Sequence, residues 1–401
     1  MRILWVKVGG LWPLDTGGRL RSFHTLSELS RRHEVTLLTT HAPEENPREL
    51  ADRLSHCERV VSFAHRPPKR GSLRLAGTYA GSLLSELPLD LWKWRVPALR
   101  AEAARLMETG EVDLCVADFL AAVPNVPLGG QVPVVLFEHN VEHLIWKRLL
   151  DVEGRGWRRL PLEIEWRKMR RFEARACKRV NLTVAVSEVD RDLLAAEAPG
   201  VPIRDVPTGV DTSYFVPNGP PDSAAGLVFT GSMDWYPNED AILHFVDAIL
   251  PHVLREVPTA SLTVVGRKPS ARLRRATSGL PVRITGGVDD VRPYVSKAGV
   301  YVVPMRVGGG TRLKIFEALA MGKAVVSTTI GAEGLPLATG RHFLRSDDPA
   351  DFARAVVSLI RDDGRRRSLG LAGRRLMEER YSWPRVARDF EARCEETIRC
   401  Q

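Results

Sequence analysis

Cysteine is scarce in this chain. Cys57, Cys115, Cys177, Cys394 and Cys400 are scattered over 401 residues, with no CxxC pair. An odd, dispersed set supports neither a disulfide framework nor zinc, and it fits a reducing, cytoplasmic compartment. Long apolar runs are missing too, so nothing reads as a bilayer span. The start, MRILWVKVGG, is a short strand running into glycines. It lacks the apolar region and cleavage site of a signal peptide. The first turn, VGGLWPLDTGGRLRS, has no GxGxxG and carries Pro13 inside, which argues against a tight pyrophosphate turn for NAD. No nucleophile elbow marks a Ser–His–Asp hydrolase. No metal site is expected: a His139/His143 pair has helical i, i+4 spacing, but no third ligand is identifiable.

What is present alternates. Apolar runs at Ile3–Val8, Val35–Thr39, Val112–Ala117, Val132–Phe137 and Leu182–Val186 are separated by helical segments such as Gly18–Arg32 and Val96–Thr109. Short buried strands alternating with helices predict a doubly wound parallel sheet. The stretch 206–226, rich in Pro, Gly and small polar residues, reads as a linker. A second series follows at Leu227–Thr230, Leu262–Val265, Val282–Thr285, Val300–Val303 and Ala324–Ser327. The expected fold is therefore α/β, with two Rossmann-like domains facing across a cleft. The expected boundaries are 1–205, a linker, 227–380, and a C-terminal helix within 381–401 that packs back on the first domain.

The most specific segment is VVPMRVGGGTRLKIFEALAMGKAVVSTTIGAEGL, residues 302–335. A strand ends at Pro304, three glycines (308–310) open into a helical run, and Gly322 stops it. Glycines let backbone N–H groups converge, and a helix start adds unpaired donors. Arg312 and Lys314 add two cations where cations are poorly placed unless an anion sits there. A phosphate or diphosphate is the simplest such anion. Glu317, about one and a half turns on, suits a sugar hydroxyl beyond it.

Polar residues just after parallel strands are where open α/β sheets place ligands. LFEHNVEH puts Glu138, His139, Asn140, Glu142 and His143 there; Asp118 and Ser187 end two other strands. Gly17 and Gly18 at a helix start, with Arg19 and Arg21 behind, suit an anionic or polyhydroxy ligand. Net charge is +9, and the excess clusters. Residues 155–179 hold ten Lys/Arg against three Glu, interleaved with residues such as Trp157, Leu160 and Trp166. A solvated helix with one face on the core would show this pattern, as would a helix docking on anionic lipid. No DNA- or RNA-binding motif accompanies the charge, so nucleic acid is not expected as a partner.

Taken together, GGRLR, FEHNVEH, TVAVSEVDRDLL, VPTGVDTSYF, FTGSMDWYPNEDA, LTVVGRKP, GGVDDVRPY, the 307–335 segment and YSWPRVARDF occur in an order that resembles the retaining, GT-B-fold glycosyltransferases of family 4, formerly group 1. FTGSMDWYPNEDA and DDVRPY resemble members found in bacterial exopolysaccharide clusters. The resemblance implies transfer of a sugar from a nucleotide-diphosphate sugar to a glycan or lipid-linked hydroxyl acceptor. It implies no cofactor and no metal ion. An alternative is a noncatalytic nucleotide-sugar-binding or membrane-docking protein on the same fold, or a nucleotide-sugar epimerase.

By that resemblance His139 matches the active-site histidine. The Glu-x7-Glu motif falls on Gly309 and Glu317, so the first carboxylate is replaced by glycine. The basic pair expected after the first strand of the second domain is also missing from GSMDWYPNED. Arg312 and Lys314, helped by Arg267 or Arg306, are expected to supply that charge. The expected donor side is completed by Gly17, Gly18, Gly231, Val288, Gly310 and Thr311. Arg21, Asp118, Glu138 and Asn140 are expected on the acceptor side. The enzyme is expected in the cytoplasm, with the inner membrane face as a peripheral site.

Overall fold

The computed structural model describes every residue except 15, 69–71, 73–76, 79–80, 83, 154–155, 308–312 and 401, together with the side chains of 152, 157 and 158. Two compact units emerge, Met1–Pro207 with Val386–Gln401, and Thr208–Arg385.

The first unit is built on seven parallel strands: β1 Arg2–Lys7, β2 Glu34–His41, β3 Arg59–Ala64, β4 Leu114–Asp118, β5 Val134–Phe137, β6 Leu182–Ala185 and β7 Ile203–Asp205. Their order is β3-β2-β1-β4-β5-β6-β7. β4 and β5 are buried throughout, which is why LCVAD and VVLF read as continuous apolar runs rather than alternating ones. β3 is half-buried at the sheet edge, so its pattern, RVVSFA, gave no such signal. Thr16 caps the helix Gly17–Ser30 by accepting from Arg19 N. Ser187, expected near the site, caps the helix Glu188–Glu197 by accepting from Asp190 N. The last helix, Trp383–Arg399, joins this unit from Val386 onward. Phe390 packs on Trp5 and Phe137, with ring centroids 5.7 and 4.7 Å apart.

The second unit carries β8 Ser223–Thr230, β9 Ser261–Val265, β10 Val282–Gly286, β11 Ala298–Val303, β12 Ala324–Ser327 and β13 Leu344–Arg345, in the order β10-β9-β8-β11-β12-β13. All pairs are parallel. β8 begins at Ser223, inside the stretch that composition marks as linker. Its core gathers Val228, Phe245, Val300, Phe316 and Phe352, each essentially without exposure. Gly322 stops the helix Leu313–Ala320 at φ +67, a conformation that side chains resist.

Both sheets are doubly wound. Strand order reverses between β1 and β4 in the first unit and between β8 and β11 in the second. Loops leave in opposite directions at such a point, which opens a crevice at the carboxyl edge. Among the described residues, no helix is long and apolar enough to cross a membrane.

Candidate functional site

In the second unit the carboxyl edge of β8, β9 and β11 gathers one hydrogen-bonded chain. Lys314, in the first turn of the helix after β11, donates to Asn238 Oδ1 at 2.6 Å and stands 4.1 Å over the Phe229 ring. Asn238 Nδ2 donates to the Ser232 carbonyl at 2.8 Å, and Arg267 Nε donates to Ser232 Oγ at 2.9 Å. Gly231 leaves room for this arrangement. A Cβ there would sit 2.7 Å from both Asn238 Nδ2 and Lys314 Nζ. Glu317 lies one helical turn from Lys314. Burial pushes its carboxyl up to about 7, against the pull of Lys314. Arg306 is held by Asp240 through two hydrogen bonds, of 3.1 and 2.6 Å. Val288 lines a pocket with Asp289, Asp290 and Tyr294 beyond β10. Gly309, Gly310, Thr311 and Arg312 lie outside the described residues.

In the first unit the register of β1 on β4 pairs Lys7 with Asp118. Asp118 Oδ2 accepts from Trp5 Nε1 at 2.9 Å and lies 3.6 Å from Lys7 Nζ, while Oδ1 faces His139 Nε2 at 2.7 Å. Burial works against the charged Asp118, but Lys7 and His139 prevail and hold it at about 2. Burial drives His139 down to about 3 despite Asp118, so its imidazole is neutral. Phe119, at φ +72, stacks face to face on that imidazole. Arg21, lowered to about 10 by burial, donates to the His139 carbonyl at 3.4 Å.

Asp118, Glu138 and Arg21, expected on the acceptor side, are 0%, 1% and 5% exposed. They sit at strand ends and on an inward helix face; Arg21 donates to the His139 carbonyl and Asp118 accepts from Trp5, while neither Glu138 carboxyl oxygen has a hydrogen-bond partner among the described residues. Burial beside Glu173 and Glu142 holds Glu138 protonated well above the usual carboxylate range. Asn140 is partly exposed and hydrogen-bonds Glu142, whose carboxyl burial and Glu173 raise to about 7. Gly18 also has a packing duty: a Cβ there would lie 2.4 Å from the Phe119 ring. His139 and His143 do not converge on one site, because His143 pairs with Glu173 and His139 with Asp118. Among the described residues no group of three metal-binding side chains occurs. Lys7, Trp5, Phe119 and Asn238 escaped sequence reasoning. A lysine closing the apolar run ILWVK was the available signal.

Two family models match. Glycosyltransferase Family 4 covers residues 17–214, and Glycosyl transferases group 1 covers residues 224–362. A 44.6 kDa protein in the cps region of Klebsiella pneumoniae is 22% identical over 96% of this chain and 97% of its own length. A phosphatidyl-myo-inositol mannosyltransferase of Mycolicibacterium smegmatis is 29% identical, over 51% of this chain and about half (54%) of its own length. Among solved structures, sucrose-phosphate synthase from Thermosynechococcus elongatus superposes with a TM-score of 0.71 at 16% identity, over the whole of both chains. Anabaena HepE in complex with UDP superposes with a TM-score of 0.67 at 14% identity, over 99% of this chain and 100% of that one. These likenesses place the two doubly wound units in the GT-B fold. With one family model on each unit, the chain belongs to the glycosyltransferases of family 4, group 1.

Proposed function

We propose that this glycosyltransferase moves a sugar from a nucleoside-diphosphate sugar to a hydroxyl acceptor in polysaccharide or glycolipid synthesis, with retention of configuration and without a metal ion. The observation that carries the reading is Lys314 beside Gly231 at the β8/β11 reversal, with Glu317 one helical turn on. Lys314 supplies a cation for the diphosphate, with the helix start behind it. Glu317 supplies an acceptor for ribose hydroxyls. HepE, which shares the fold, was solved with UDP and with UDP-glucose, and this supports the ligand class.

The bond from the anomeric carbon to the diphosphate breaks, and a bond to the acceptor oxygen forms on the same face. The acceptor proton passes to the departing phosphate oxygen, whose growing charge Lys314 and the helix-start amides stabilise. His139, neutral and beside Asp118, orients the donor sugar. Anionic lipid is the proposed membrane partner. The mannosyltransferase relative is named for phosphatidyl-myo-inositol, and Ile145, Leu149 and Leu160 are exposed on the helices Glu142–Val152 and Gly156–Arg179. The proposed location is cytoplasmic, at that lipid surface.

Calorimetric titration with UDP and GDP, followed by nucleotide release from UDP-glucose and GDP-mannose with lipid and glycan acceptors, tests the reading. Binding without release on any acceptor would favour a noncatalytic binder. Absence of all nucleotide binding would overturn both.

A further inference from the structure

Lys7 is 2% exposed, an uncommon state for a lysine. Its ammonium meets two groups. One is Asp118, its register partner on β4, at 3.6 Å; the other is the Phe119 ring, 4.0 Å to the centroid. Both groups touch His139. Asp118 Oδ1 lies 2.7 Å from Nε2, and the Phe119 ring stacks on the imidazole with centroids 3.7 Å apart and planes 11° apart. Trp5, two residues before Lys7 and on the same face of β1, donates its indole N–H to the other oxygen of Asp118. One buried ammonium therefore grips the carboxylate that faces the imidazole edge and the ring that covers its face.

We propose that Lys7 is a positioning residue for His139, fixing the plane and the tautomer of the imidazole through Asp118 and Phe119. The proposal rests on the reading of His139 as a donor-sugar contact. If packing were the sole demand, an apolar residue of similar volume would serve as well, because a buried ion pair gives up its hydration. The charged groups facing the imidazole are Asp118 from β4, Arg21 from the helix Gly17–Ser30 and Lys7 from β1. Burial keeps the ring neutral against the pull of Asp118, and Arg21 and then Lys7 add to it; removing Lys7 takes away one of the two cations that oppose the imidazolium.

The test is Lys7→Met in the full chain, with the imidazole nitrogens followed by 15N NMR and His139 assigned by His139→Gln. The parent is expected to show one dominant neutral tautomer. In Lys7→Met the midpoint should rise by about one pH unit, with mixed tautomers below it. For UDP-glucose or GDP-mannose turnover, kcat should fall about tenfold with KM little changed, the pattern of a lost transition-state interaction. Lys7→Arg, which keeps the charge, should recover part of the parent signature. It is read in the same way should Lys7→Met fail to fold, and a wholly parental signature from Lys7→Arg together with an unaltered one from Asp118→Asn would then overturn the proposal. A lower melting temperature with an unchanged His139 signature and unchanged kcat would reduce Lys7 to a structural role and overturn the proposal. A shifted His139 signature in a chain whose parent turns over no nucleotide sugar would sink the functional reading and leave the positioning intact.

Discussion

Phe119 lies face to face on His139, with the rings 3.7 Å apart and 11° from parallel. The stack depends on a third residue. Phe119 reaches it by entering the space that Gly18 leaves open, where a methyl group would sit 2.4 Å from the ring. Gly18→Ala should displace Phe119 and cost about 1–3 kcal/mol through overpacking. Phe119→Ala in the same chain should remove most of that Gly18-dependent increment. Urea unfolding of the two single variants and the double variant measures the coupling. Additive costs would show that Gly18 and Phe119 do not meet.

His139 is buried neutral, its imidazole at about 3 against an ordinary 6.5. Between those values the unfolded chain binds a proton that the native chain refuses. Stability contributed by this site is therefore full above about pH 6.5 and is lost on acidification towards pH 3. His139→Gln should make the acid limb shallower by up to one proton, about 1.4 kcal/mol per pH unit. Denaturant melts across that range decide it, and an unchanged limb would refute the buried neutral state.

Lys314 is the described cation nearest Gly231 at the β8/β11 reversal. Lys314→Ala should weaken UDP or GDP binding about tenfold or more, the cost of a lost charged hydrogen bond. Affinity for the bare nucleoside should change little. An equal loss for nucleoside and diphosphate would remove Lys314 from the phosphate contact.

Glu317 has the opposite sign to His139. Its carboxyl stands at about 7 in the fold against 4.5 unperturbed, so the native state keeps a proton that the unfolded chain has released. Stability falls as pH rises through that window and levels off above it. Glu317→Gln should be more stable than the parent at pH 8, by on the order of 1–3 kcal/mol, and near-equal at pH 4. Its affinity for UDP should nevertheless fall. A variant that gained stability but kept full affinity would leave Glu317 partly buried but outside the nucleotide site.

On the helix Gly156–Arg179 the basic residues divide. Lys168 donates to the Ser82 carbonyl at 2.6 Å, Arg170 pairs with Glu197 at 2.7 Å and Arg167 with Glu163 at 2.5 Å. Arg171, Lys178 and Arg179 are exposed. Sedimentation with phosphatidylglycerol vesicles should show binding that fades with salt. Arg171→Gln, Lys178→Gln and Arg179→Gln together should weaken it by about 1 kcal/mol per residue. Parent protein that ignores these vesicles at low salt would leave the helix a solvated face.

The local pattern settled much of the fold. Continuous apolar runs such as LCVAD and VVLF could bury both faces only as inner parallel strands, and Gly322 was legible as a helix stop because its left-handed backbone is a local requirement. Lys314 and Glu317 were legible for the same reason, since one helical turn relates them whatever surrounds the helix. The short strand β7 and the edge strand β3 carried too little local signal, being weakly buried or brief. What tertiary structure alone decided is which polar groups face each other. Sequence shows only that Asp118 ends a strand; the β1/β4 register is what sets it against Lys7 and brings it within 2.7 Å of His139. Lys168 and Arg171 look alike in sequence, but Ser82, brought close by the fold, engages Lys168 and leaves Arg171 exposed. Such pairings join residues distant in the chain. Strand order and register determine them, and no short window of sequence contains either.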